Sequence, residues 1–119
     1  MAAKDVLGRR GEDLAARYLE QRGLVILSRN WRCRAGELDL VATDAARLVV
    51  VCEVKTRSGA AFGLPAEAVD RRKALRIRRV AQFWLAAHRV RWVGVRFDVL
   101  AVVAVPGRPV EVTHYEGAF

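Results

Sequence analysis

GELDLVATDAARLVVVCEVKTR, from Gly36 to Arg57, is the stretch whose reading decides the fold. Leu38 to Thr43 and Arg47 to Lys55 are apolar runs of strand composition, and Asp44-Ala45-Ala46 between them has the chemistry of a turn, so the stretch predicts a hairpin. Carboxylates at Glu37, Asp39 and Glu53 and an ammonium at Lys55 break its apolar character. A half-buried strand keeps an unpaired carboxylate only at a steep cost or by protonating it, so charges in such a place have a use. Side chains alternate faces along a strand, which sends Glu53 and Lys55 one way and Val54 the other. A turn centred near Ala45 sets Asp39 opposite Val51, with Glu53 one diagonal step away. Any even shift of that register keeps Asp39 and Glu53 on one face, and any odd shift separates them. At the roughly 7 Å of a diagonal pair, two carboxylates can share a divalent ion.

Such a set suits phosphodiester hydrolysis. A hard cation polarises the phosphoryl oxygen and acidifies a water, and Mg²⁺ is held by one or two carboxylates, waters and substrate phosphate. Asp39 and Glu53 are the expected metal ligands, with the Val54 carbonyl beside them, and Lys55 is placed to stabilise developing charge. An ExK triplet also arises by chance, and a cross-strand acid–lysine pair is ordinary surface chemistry worth under about 1 kcal/mol. The combination with Glu12 upstream and an arginine-rich helix downstream gives the triplet its weight.

Working outward, Asp5 is positioned to cap a helix running to about Arg22, with Gly23 as its left-handed stop. Leu7, Leu14, Ala15, Tyr18 and Leu19 share one arc, and Glu12 stands at its edge, able to lean over whatever the helix packs on. Gly8 and Gly11 fall on the inner arc, which predicts close approach to a sheet or a ligand, or a helix starting only near Gly8. Leu24 to Ser28 reads as a first strand and Arg29 to Ala35 as a basic connection, in which Arg32 and Arg34 can contact phosphates while Trp31 packs on the core. Beyond the hairpin, Thr56 to Leu64 has loop composition, and Pro65 opens a helical region continuing to about His88. Ile77, Val80, Ala81, Trp84 and His88 form its apolar arc, with Arg71, Arg72, Arg76, Arg78 and Arg79 opposite, as a solvated face or a phosphate-binding one. Lys73 falls on the apolar arc, so either its stem snorkels past the core or its charge is directed at an acidic site. Val93 to Val105 is apolar enough for a central strand, with Asp98 paired to Arg96 or to a buried backbone donor, and Val110 to Tyr115 is a last short strand. The order α-β-β-β-α-β-β makes a mixed α/β class.

At 119 residues and 53% hydrophobic the chain suits one domain, residues 1–119. Eighteen arginines, three lysines and a net charge of +8 point to nucleic acid rather than a membrane surface, since no basic helix carries a strongly hydrophobic insertion face. Cys33 and Cys52 form neither a CxxC nor a cluster with His88 and His114, which argues against zinc and disulfides. No continuous apolar segment of signal-peptide or membrane-spanning kind occurs, so a cytoplasmic protein is expected.

Gly11-Glu12, Asn30-Trp31-Arg32, Gly36-Glu37-Leu38-Asp39-Leu40, Glu53-Val54-Lys55-Thr56-Arg57, Phe62-Gly63, Ala68-Val69 with Lys73, Arg96-Phe97-Asp98 and Ala118-Phe119, in that order, resemble the bacterial YraN family over nearly the whole chain. That family in turn resembles PD-(D/E)xK restriction-endonuclease-like nucleases, particularly Holliday junction resolvases. The resemblance implies a restriction-endonuclease-like α-β-β-β-α-β core with a mixed central sheet, a Mg²⁺- or Mn²⁺-dependent endonuclease acting on branched or otherwise structured DNA, and Glu12, Asp39, Glu53 and Lys55 as its catalytic set. DNA is expected ahead of RNA on this motif resemblance alone, the residue argument serving both. The proline that precedes the aspartate in the wider motif is absent here. Arg57, Lys73, Arg71, Arg72, Arg76 and Arg79, with Arg32 and Arg34, are the expected phosphate contacts. Resolvases of this kind act as dimers, which raises a homodimer that no sequence feature establishes. The competing expectation is a non-catalytic nucleic-acid-binding or assembly module on the same fold.

Overall fold

Two helices enclose a five-stranded mixed sheet in the computed structural model, which describes residues 3–58 and 69–119. The elements are α1 (Ala3–Gln21), β1 (Val25–Cys33), β2 (Gly36–Thr43), β3 (Leu48–Arg57), α2 (Arg71–Ala87), β4 (Gly94–Val103) and β5 (Glu111–Tyr115), in the order expected from sequence. The strands lie side by side in chain order, antiparallel except for β3 and β4, which run parallel with α2 between them in sequence. β4 is an interior strand, as its apolar run demanded.

Each face of the sheet has its own core. Ala15, Ala16 and Leu19 of α1 pack on Leu40, Ala42, Val50, Cys52, Leu100 and Val102. Ile77, Val80, Ala81 and Trp84 of α2 pack on Leu38, Val41, Val49, Val51 and Phe97. The alternation Val49, Val50, Val51, Cys52 between the two sets is the period-two signature of a strand buried on both sides. In β2 that alternation breaks. Leu38 and Leu40, two residues apart, join opposite cores, so the strand rolls over at Asp39.

Several boundaries differ from expectation. α1 begins at Ala3, so Asp5 lies within the helix and does not precede it as its cap. Gly23, at φ 89°, is the expected stop. β1 does not end at Ser28. It continues through Asn30-Trp31-Arg32 to Cys33, because β2 offers it a full-length partner, and an irregularity between Ile26 and Ser28 together with a left-handed Asn30 (φ 49°) absorbs the misfit. Val69 and Asp70 are not helical, so α2 starts at Arg71, with the Asp70 carboxylate accepting from the Lys73 N–H at 2.8 Å as its cap. Most of the loop expected over 56–64 and the helical start expected at Pro65 lie outside the described residues. The β2–β3 register is displaced by two residues from the expected one, with Leu40 facing Cys52, because the turn is closed later, by Asp44 and a left-handed Arg47 at φ 64°. An even displacement preserves parity, and Asp39 now falls level with Glu53.

Candidate active site

The β2–β3 ladder ends at Leu40 and Cys52, and the next residues replace main-chain pairing with side-chain chemistry. Asp39 Oδ2 accepts the Val54 N–H at 2.9 Å, so Val54 serves the site through its amide. This is the one hydrogen bond to the Asp39 carboxylate among the described residues. Glu53 Oε1 receives two ammoniums, Lys73 Nζ at 2.9 Å and Lys55 Nζ at 3.4 Å. The apolar-arc position of Lys73 is thereby explained, since its charge is directed at an acidic site.

Two cavities meet at the Asp39–Glu53 pair. One, of about 480 Å³, opens between the β1–β2 hairpin and α2 and is lined in part by Arg34, Lys73 and Arg76. The other, of about 340 Å³, opens beneath α1 and is lined in part by Glu12, Lys55 and Arg57. Glu12 reaches this place because α1 lies directly on β3. A Cβ at Gly11 would come within 1.9 Å of Thr56 Oγ1, so only glycine permits the contact. Gly8, by contrast, has open space where its Cβ would be and lines the second cavity, so of the two only Gly11 makes a close approach to the sheet.

The electrostatics follow from this crowding. Burial, then the Glu53 charge, pushes the Asp39 carboxyl up to about 7, against the lowering effect of the Val54 amide, while Glu12 and Glu37 add to the rise. Burial, then the neighbouring Lys73, lowers Lys55 below the usual lysine range. Lys73 moves upward. Burial opposes its charge, but contacts with Lys55 and Glu53 outweigh that. Among the described residues no cluster of three or more His, Cys, Asp or Glu side chains is arranged to hold a metal. Asp39 and Glu53 alone still present hard oxygen donors whose mutual repulsion a divalent cation would relieve, and Mg²⁺ completes its shell with water and phosphate. The donor set therefore fits Mg²⁺ or Mn²⁺.

The model of the Uncharacterised protein family UPF0102 matches residues 11–102. UPF0102 proteins of Frankia alni (60% identical over 119 residues, covering 100% of this chain and 98% of the relative) and Nocardia farcinica (51% over 116 residues, 98% and 91%) are similar over almost their whole lengths. A Mycobacterium tuberculosis UPF0102 protein is 54% identical over 115 residues, 93% of this chain and 90% of its own. The chain belongs to the UPF0102 family. The span matched by the UPF0102 model contains Glu12, Asp39, Glu53, Lys55 and Lys73 and ends within β4, before the C-terminal segment.

The other residues expected to bind phosphate divide into two groups in this UPF0102 chain. Arg34, Arg57, Lys73 and Arg76 line the two cavities. Arg34 and Arg79 each lie 5.9 Å from the Phe83 ring, which gives them a common support. Arg71 and Arg72 are exposed on the first turn of α2 and line neither cavity, and Arg32, which lines neither, is paired at 2.9 Å with Glu37 at the edge of the first. The Val54 amide bond and the Phe83 platform had no sequence signal beyond a lone aromatic near an arginine face. The two cysteines are free thiols, and burial pushes Cys52 upward. No described helix is long and apolar enough to cross a membrane.

Asp98 makes up a separate constellation. It is fully buried yet accepts from Arg96 Nε and Nη2 at 2.9 Å each, from the Gly117 N–H at 2.9 Å, and lies 2.7 Å from His114 Nε2. Burial alone would raise its pKa, but Arg96, Gly117 and His114 together hold it below the usual carboxylate range. Both alternatives expected for Asp98, an Arg96 pair and a buried backbone donor, are realised at once.

Proposed function

We propose that the chain is a Mg²⁺- or Mn²⁺-dependent endonuclease that hydrolyses phosphodiester bonds in DNA, with branched or otherwise structured DNA as the favoured substrate. The observation that carries this reading is the meeting of Asp39 and Glu53, with Lys55 and Lys73 on Glu53, at the junction of two arginine-bearing cavities. Asp39 and Glu53 would hold the cation, which supplies polarisation of the phosphoryl oxygen and acidification of a water. The Val54 N–H orients Asp39 for that task. Lys55, an amine of lowered pKa, would hold or release a proton at Nζ beside the attacking water and then face the charge that develops on phosphorus. Lys73 bridges α2 to Glu53 and would shift from that carboxylate to substrate phosphate. Glu12 borders the same cavity and would act through water as a second base, while Arg34, Arg57 and Arg76 grip flanking phosphates bidentately.

The two ammoniums on Glu53 also support a second reading, a nucleic-acid-binding module whose acidic set is neutralised from within. The readings separate when supercoiled, linear, four-way-junction and single-stranded DNA are incubated with Mn²⁺ or with EDTA, beside Lys55→Ala and Asp39→Asn. The nuclease reading expects metal-dependent cleavage that both substitutions remove. Tight, strongly salt-dependent binding without cleavage selects the module, and cleavage unchanged in both variants refutes the site.

A further inference from the structure

The end of the sheet farthest from the carboxylates has a surface that cleavage chemistry leaves unused. Lys73 sits in the first turn of α2, and the helix then runs about 20 Å to its last turn. The connection that follows, residues 88–93, leads into Gly94, which is level with Leu48 at the start of β3, the end opposite Glu53. In this connection Trp92 is 89% exposed, the most exposed large apolar side chain among the described residues. Arg89 and Arg91 precede it in the same connection and are exposed. Arg47, also exposed, comes from the β2–β3 turn, which is fastened here by the Gly94 N–H donating to the Arg47 carbonyl at 2.9 Å. Among the described residues none of these three arginines makes an ion pair. The nearby acid, Asp44, turns its carboxylate back onto the N–H groups of Ala46 and Leu48.

The backbone adds an independent sign. Among the described residues four non-glycine residues have positive φ; Arg47 at 64° closes the β2–β3 turn and Arg89 at 54° ends α2, where the Val90 N–H donates to the Leu85 carbonyl at 2.9 Å, which leaves Trp92 at 61° as the one in this patch that neither a turn nor a helix stop requires. Bulky side chains enter that region only at an energetic cost, and such strain gathers where a surface is held for use. A turn that merely displayed arginines to water would need neither the left-handed tryptophan nor the exposed indole. An indole face among guanidiniums matches the chemistry of single-stranded nucleic acid, whose bases stack on the ring while their phosphates pair with the nearby arginines.

We propose that this end of the molecule is a second nucleic-acid site, in which an unpaired base stacks on Trp92 and Arg47, Arg89 and Arg91 hold the adjoining phosphates. The site extends the nucleic-acid reading but is independent of cleavage, so its test is run in EDTA, where a failed nuclease reading leaves the result unaffected. The full chain is titrated with a fluorescein-labelled oligo-dT and with a blunt duplex, following anisotropy and tryptophan emission. Oligo-dT is expected to quench emission in the wild type and not in Trp92→Ala, and to bind that variant about tenfold more weakly. Trp92→Phe restores binding by keeping an aromatic face, and duplex affinity is unchanged in both variants. Quenching that survives in Trp92→Ala, or equal single-strand affinity in wild type and Trp92→Ala, overturns the proposal. So does sedimentation showing that Trp92→Ala converts a wild-type dimer to monomer, since the indole would then serve a second copy of the chain.

Discussion

Asp39 and Asp98 lie on neighbouring parts of one sheet, two aspartates taken out of water and treated in opposite ways. Asp98 is the more deeply buried, yet it is surrounded by a bidentate guanidinium, an imidazole and a backbone amide, and its pKa falls. Asp39 is less buried but has one amide donor and carboxylate neighbours, and its pKa rises to about 7. Burial raises both carboxyls, and the number and sign of the neighbours decide whether that rise is overcome, as at Asp98, or reinforced, as at Asp39. Asp98 fastens the C-terminal segment to β4, helped by the Ala118 N–H donating to the Phe97 carbonyl. Asp39 is held open at the junction of two cavities.

Breaking the satisfied aspartate should have the largest effect on stability. Asp98→Ala leaves the nearly buried His114 without its anion and Arg96 with only the more distant Glu116 at 3.7 Å, and urea unfolding should show a loss on the order of 3–5 kcal/mol. Asp39→Ala should change unfolding far less, and similar losses at the two positions would erase the distinction. Next, Lys55→Ala and Glu53→Gln should each reduce DNA cleavage by about 10²- to 10³-fold with little change in unfolding, measured as single-turnover rates in Mn²⁺. Gly11→Ala forces α1 off Thr56 and carries Glu12 with it, so thermal unfolding should reveal a penalty of about 1–3 kcal/mol, partly recovered by adding Thr56→Ala.

The smallest effect is on pH dependence, and its sign differs between the two aspartates. A carboxyl raised from 3.8 to about 7 binds more protons folded than unfolded across that window, so its contribution weakens as pH rises through it. Asp98, lowered in the fold, contributes above the unfolded value and loses that contribution as pH falls towards its folded one. Metal-free wild-type protein should therefore lose on the order of 1–2 kcal/mol between pH 5 and pH 8, and Asp39→Asn should flatten that decline. A decline of equal size in Asp39→Asn would assign it to other groups.

Much of this was legible in the sequence because strand periodicity is strict. The alternation through Val49–Cys52 and the parity of the hairpin placed Asp39 and Glu53 together even though the register itself was displaced by two residues. Lys73 was conspicuous because a charge on an apolar helical arc requires a partner, and Glu53 is that partner. Three-dimensional closure was not legible. The extension of β1 through a basic, aromatic run depends on the partner that β2 provides, and the convergence of His114 and Gly117 on Asp98 depends on how β5 and the chain after it return along β4. The left-handed residues around Trp92 are arginine and tryptophan, not the glycine or asparagine that marks such positions in a sequence.

The contrast between the two aspartates is tested most directly by Mn²⁺ titration of isotopically labelled protein, followed by paramagnetic broadening of its amide signals. Broadening centred on Val54 and Glu53, absent from Glu53→Gln, with Gly117 beside Asp98 unaffected, is the predicted result. Broadening that persists in Glu53→Gln, or that is stronger at Gly117 than at Val54, would contradict it.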